Sequence, residues 1–74
     1  METRTIAFFL GKYVKLILSS GRVYTGKIKK IVDNNIIIFG DSAGFDVVID
    51  IEDIVAIEDR SAFVEKYKKT DQTK

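Results

Sequence analysis

The run from Leu10 to Ile28, LGKYVKLILSSGRVYTGKI, limits the folds open to this chain more than any other stretch. Just before it, Thr5 is placed to cap a short helix through Ile6, Ala7, Phe8, Phe9 and Leu10, and Gly11 to end that helix in the left-handed conformation. A first strand follows, with Val14, Leu16 and Leu18 on one face and Tyr13, Lys15 and Ile17 on the other. Ser19-Ser20-Gly21 supplies a tight turn. The second strand runs from Arg22 to about Val32 and carries Tyr24, Gly26 and Ile28 on one face. A glycine at the centre of a strand marks a bend or a close approach of another backbone. This order of elements is what a small, strongly bent antiparallel barrel needs.

Past Ile28 the alternation slips, because Lys30 falls where an inward residue is due and Ile31 is apolar. One inserted residue, a β-bulge, restores the register. Asp33-Asn34-Asn35 is a turn signal. The third strand, Ile36 to Phe39, is apolar at every position. Gly40 to Gly44 turns the chain into a fourth strand, Phe45 to Ile49, apolar on both faces at Val47, Val48 and Ile49. Asp50 to Asp53 turns it again into a short fifth strand, Ile54 to Ile57. From Asp59 the spacing becomes helical, with Phe63, Val64 and Tyr67 on one side and Asp59 or Ser61 as N-cap. Residues 1–59 therefore read as a five-stranded barrel with an N-terminal helix, and 60–74 as a C-terminal helix with a frayed tail.

Seventy-four residues make one domain, and a domain this short is marginal alone. The chain contains neither Cys nor His, which removes disulfides and the common zinc sites as reinforcement. Oligomerisation remains, and 46% hydrophobic residues is more than one small core easily hides. A strand with one covered face alternates. The third and fourth strands do not, so both of their faces are expected to be buried, one in the barrel and the other against a helix or another chain. Head-to-tail pairing of the fourth and fifth strands, repeated round an axis, closes a ring. The alternative is a monomer whose C-terminal helix covers the second face.

Net charge is +1, from twelve basic and eleven acidic residues, too little to wrap duplex nucleic acid. The longest apolar stretch is far short of a membrane span, and the first residues do not form a secretory signal. The expectation is a cytoplasmic protein without membrane partners. No cofactor is implied.

The ordered set from Phe8 to Glu58 resembles the Sm/LSm family of ring-forming proteins, which includes bacterial Hfq. Its carriers are a helix ending in Leu10-Gly11-Lys12, the Val14-x-Leu16 strand, the turn glycine Gly21, and the strand glycine Gly26 with Ile28 two residues on. The resemblance implies an Sm-like barrel, a homo-oligomeric ring and single-stranded RNA as partner. Two departures bear on the ligand. The family typically places Asn four residues after its loop Asp, whereas Ile37 stands four after Asp33, with Asn34 and Asn35 out of that register. The second motif, aliphatic-Arg-Gly, reads Ile49-Asp50-Ile51. An Arg there would stack on bases or fork to phosphate, while Asp50, Glu52 and Asp53 offer only acceptors and negative charge.

Without His or Cys, catalysis would fall to carboxylates, Lys or Tyr, and no constellation of these is visible, so no enzyme is expected. The acids at 50, 52 and 53 read either as oxygen ligands for a divalent cation or as a solvated, hydrogen-bonded turn. The candidate RNA contacts are Asp33, Asn34 and Asn35 in the loop, with Lys27, Lys29 and Lys30 on the second strand. Each lysine reads more readily as a solvated strand face. Tyr13 and Tyr24 are either stacking platforms or packing residues. Two functions follow: an Sm-like ring that binds single-stranded RNA, or an Sm-like ring that has lost base recognition and serves as a protein-interaction scaffold.

Overall fold

The computed structural model describes residues 1–62. It is mainly β, with a short helix α1 (Thr3–Phe8) and five strands: β1 (Tyr13–Leu18), β2 (Val23–Val32), β3 (Ile36–Asp41), β4 (Asp46–Asp50) and β5 (Ile54–Asp59). All neighbours pair antiparallel in one sheet, ordered β4-β3-β2-β1-β5.

The alternation expected for β1 holds. Val14 and Leu16 are buried, while Lys15 between them is not. The turn closes as its residues require: Gly21 takes φ +90° and its N–H donates to the Leu18 carbonyl at 2.8 Å. The slip after Ile28 is a bulge. Ile28 pairs with Phe39 and Lys30 with Ile38, leaving Lys29 as the extra residue. That residue brings Ile31 opposite the buried Ile37.

Gly26 pairs with Val14 on one side and Asp41 on the other. A Cβ there would run into the Gly40 carbonyl oxygen and lie 2.8 Å from the Asp41 Cα. No rotamer relieves a collision with backbone, so glycine is what lets β3 approach β2 this closely. The same approach extends β3 two residues beyond its apolar run, through Gly40 and Asp41.

The core lies on one face of the curved sheet: Val14, Leu16, Ile28, Ile37, Phe39, Ile49, Ile51 and Ile54, with Ile6 added by α1. Each such side chain contributes roughly 1.5–3 kcal/mol of apolar transfer free energy. No buried side-chain polar atom among the described residues lacks a hydrogen-bond partner.

Three expectations are corrected. The helix starts earlier than Thr5, which lies inside it; Glu2 is the N-cap residue and makes no side-chain cap. Tertiary bonds hold that end instead: Thr3 Oγ1 donates to the Asn34 carbonyl at 2.7 Å, and the Met1 ammonium to the Ile51 carbonyl at 3.2 Å. The strand limits also move, since β2 starts at Val23, β4 at Asp46 and β5 runs on to Asp59. Next, the sheet is not a closed barrel, because β4 and β5 are its two edges and do not pair with each other. The second face of β3 and β4 is expected to meet the C-terminal helix or another chain, and neither lies among the described residues. Ile36 and Ile38 are half-exposed and Val48 is 63% exposed. The expected C-terminal helix, with Phe63, Val64 and Tyr67, lies outside the described residues.

Candidate functional site

The loop between β2 and β3 is a tight turn with two left-handed residues, Asp33 at φ 52° and Asn34 at φ 59°. Asp and Asn tolerate that region better than other non-glycine residues, which accounts for the pair at these positions. Asn35 N–H donates to the Val32 carbonyl at 3.1 Å, and the Asn35 carbonyl accepts from Ile51 N–H at 2.9 Å. With the Thr3 bond to Asn34, the loop backbone is tied to both α1 and the turn after β4. All three loop residues stay exposed. The result is a rigid backbone carrying polar side chains free to meet a ligand.

The lysines occupy a different place. Lys27, Lys29 and Lys30 lie on the outer face of β2, the bulge turning Lys29 and Lys30 to the same side. They are not equivalent. Lys29 Nζ donates to Asp46 Oδ1 at 2.7 Å, an exposed ion pair between β2 and β4. Its stem crosses Gly40, where a Cβ would come 2.9 Å from Lys29 Cε. Lys27 and Lys30 form no ion pair among the described residues. The six candidate residues thus fall into two groups, a loop at one end of β2 and a basic patch on its outer face, with Lys30 nearest the loop.

Beside the patch is an open cleft of about 320 Å³, walled by Tyr13, Lys27, Lys29, Asp46 and the glycines Gly26 and Gly40. Sequence reasoning missed Asp46, which stands seventeen positions from its partner and has no local signal. In the turn expected from Gly40 to Gly44, Asp41 Oδ1 accepts from both Ala43 N–H at 3.0 Å and Phe45 N–H at 2.9 Å.

Tyr24 packs edge-on to Phe39 with ring centroids 6.2 Å apart, and the Arg22 guanidinium lies 5.8 Å over its ring. Its role as a packing residue is the one this geometry favours. The acidic turn is a single 3₁₀ turn, Ile51–Asp53, capped by Asp50, whose Oδ1 accepts from Glu52 N–H at 3.0 Å. That is the hydrogen-bonded-turn alternative for these acids, and no group of three or more metal-ligating residues forms among the described residues. No helix there is long and apolar enough to cross a membrane.

Asp59 is held below the ordinary aspartate value, first by the hydrogen bond from Ser61 N–H, then by the Ser61 hydroxyl and by the Lys12 ammonium. Compared with protein-family profiles, curated proteins and solved structures, the chain finds no match in any of the three.

Proposed function

We propose that this protein is a subunit of an Sm-like homo-oligomeric ring that binds single-stranded RNA. One observation carries the reading: a single open sheet ends in two unpaired edges, β4 and β5, each bearing an exposed valine, Val48 at 63% and Val55 at 58%. Free edges with apolar flanks are templates for another strand. Pairing β4 of one copy with β5 of the next uses both edges and repeats head to tail until the rotation closes. It also covers part of the outer apolar surface of β4.

For RNA, the support is the resemblance of the Leu10–Ile28 run and the exposed Asp33-Asn34-Asn35 side chains on a backbone tied down at both ends. Carboxamides present both donors and acceptors to base edges, which single strands leave open. Lys30 and Lys27 supply charge for the backbone, repeated in every copy. A specific observation favours the scaffold reading: Lys29 is already neutralised by Asp46, and the turn at Asp50 adds acceptors only.

Native mass spectrometry with a short oligouridine separates the readings. The expected result is a multiple of the chain mass shifted by one RNA. Asn34→Ala with Asn35→Ala should weaken that binding by tenfold or more without changing the assembly mass. A ring with no RNA shift selects the scaffold, and a monomer overturns the assembly.

A further inference from the structure

Two glycines lie inside strands, and the fold accounts for only one of them. A glycine in that place marks the close approach of another backbone or a point where a ligand comes near. Gly26 is the first kind, since a Cβ on it would strike the Gly40 carbonyl. Gly40 on β3 differs, and it takes no positive φ. The three heavy atoms nearest to a Cβ there are Cε, Cδ and Nζ of Lys29, at 2.9, 3.6 and 3.7 Å. They form the end of a flexible side chain, which could move to admit an alanine. Neither conformation nor backbone packing therefore requires glycine at this position.

The strand register shows what the bare position opens. Tyr13 pairs with Lys27, Lys27 with Gly40 and Gly40 with Asp46, so the four make one row across β1, β2, β3 and β4. Side chains paired in this way project from the same face of a sheet. Gly40 is the gap in the row, and all four residues line the cleft of about 320 Å³. Cavities that take small molecules begin at roughly 300 Å³. The charges of the cleft are unevenly engaged. Lys29 Nζ is held by Asp46 Oδ1 at 2.7 Å, and Asp41 Oδ1 by the N–H groups of Ala43 and Phe45. Lys27 forms no ion pair among the described residues.

We propose that this cleft binds a small aromatic monocarboxylate, with Lys27 taking the carboxylate and the bare backbone of Gly40 the flat face of the ring. One unpaired ammonium matches one carboxylate through charge-assisted hydrogen bonds. A phosphate dianion suits the cleft less, because Asp41 and Asp46 share its wall and repel a second negative charge. Tyr13, next to Lys27 in the row, offers a further aromatic surface to a planar partner. Binding here does not depend on assembly, because all of these residues belong to one chain.

Benzoate is the probe, titrated into the full-length protein and followed by amide NMR shifts. Saturable shifts should centre on Lys27, Gly40 and Asp46, with a Kd on the order of 1 mM for a ligand of this size. Phenyl phosphate should bind about threefold more weakly or worse, and so should cyclohexanecarboxylate, which keeps the charge without the flat face. Lys27→Gln, at an exposed position, should weaken benzoate by about fivefold or more. Gly40→Ala should do the same by placing a methyl in the gap, with the strand signal kept in circular dichroism. Lys30→Gln, outside the cleft, should leave the affinity within about twofold. Shifts that do not saturate, or equal losses from Lys27→Gln and Lys30→Gln, would overturn the proposal. Tighter binding of phenyl phosphate would overturn it too, by assigning the cleft to phosphate groups. Cyclohexanecarboxylate binding as well as benzoate, or unchanged affinity in Gly40→Ala, would show that no flat ring lies on Gly40 and would sink it as well.

Discussion

The β1–β2 hairpin and the β3–β4 hairpin are built from similar numbers of aliphatic residues, yet they use them differently. In β1 the apolar residues Val14 and Leu16 turn inward, with Lys15 between them and Lys27 across from Tyr13 on the outer face. In β3 and β4 the inward set, Ile37, Phe39 and Ile49, is backed by an outward set, Ile36, Ile38 and Val48. The first hairpin has one outer apolar pair, half-buried Ile17 opposite Val23 at 49% exposed, set among Lys15 and Lys27. The second carries more such side chains, with Val48 at 63% exposed opposite half-buried Ile38, and exposed apolar surface of this kind marks sites suited to association. A pattern apolar on both faces thus reports the surroundings a strand is suited to, and the described residues cover one of those faces.

The contrast breaks or sharpens most clearly at the two sides of this second hairpin. Phe39→Ala should cost about 3–5 kcal/mol in urea unfolding, since the ring is fully buried. Val48→Ala, across the sheet, should stay within about 0.5 kcal/mol. Val48→Asp should keep the strand signal in circular dichroism while reducing the proposed ring to the mass of one chain. An unchanged mass would mean that the outer valine has no partner.

Glycine gives the next largest effect. Gly26→Val should cost about 3 kcal/mol, because its side chain meets the β3 backbone and not a movable side chain. Gly21→Ala has open space and meets only a positive φ, so about 1 kcal/mol is expected. Equal losses at the two glycines would show that conformation, not the close approach of β3 to β2, is what position 26 needs.

The smallest effect is in pH dependence. A carboxyl held below its unfolded value contributes stability that is fully present above about pH 4 and lost as pH falls through its folded value. Asp59 should therefore titrate below the ordinary aspartate value in carboxyl NMR, and Asp59→Asn should flatten stability in that acidic window. If Asp59 titrates at the ordinary aspartate value, the Ser61 bonds do not hold it down.

Much of this was legible in the residues. The bulge at Lys29 announced itself because Lys30 and Ile31 broke a period of two, and only one inserted residue repairs it. The turns at Gly21 and Asp33-Asn34 follow from left-handed backbone demands that few residues meet. The helix start was not legible, because Thr3 is held by Asn34 and Met1 by Ile51, partners distant in sequence. Open against closed was hidden for a related reason. Alternation fixes which neighbours pair, but whether β4 meets β5 depends on twist and curvature summed over the whole sheet. In the candidate site, the polar loop was visible as composition, while the neutralisation of Lys29 by Asp46 depends on the bulge that aims its stem over Gly40.

The position of β1 between β2 and β5 sets an order of events in time. Its pairing with β2 needs only the turn at Gly21, whereas its other side waits for residues some forty positions later. Closing so long a loop is slow compared with forming a hairpin. During refolding, β1 therefore stands for a time as an exposed edge, open to any strand that arrives first. Refolding yield should fall as protein concentration rises, and the yield lost should recover when a peptide spanning Ile54–Asp59 is supplied in excess.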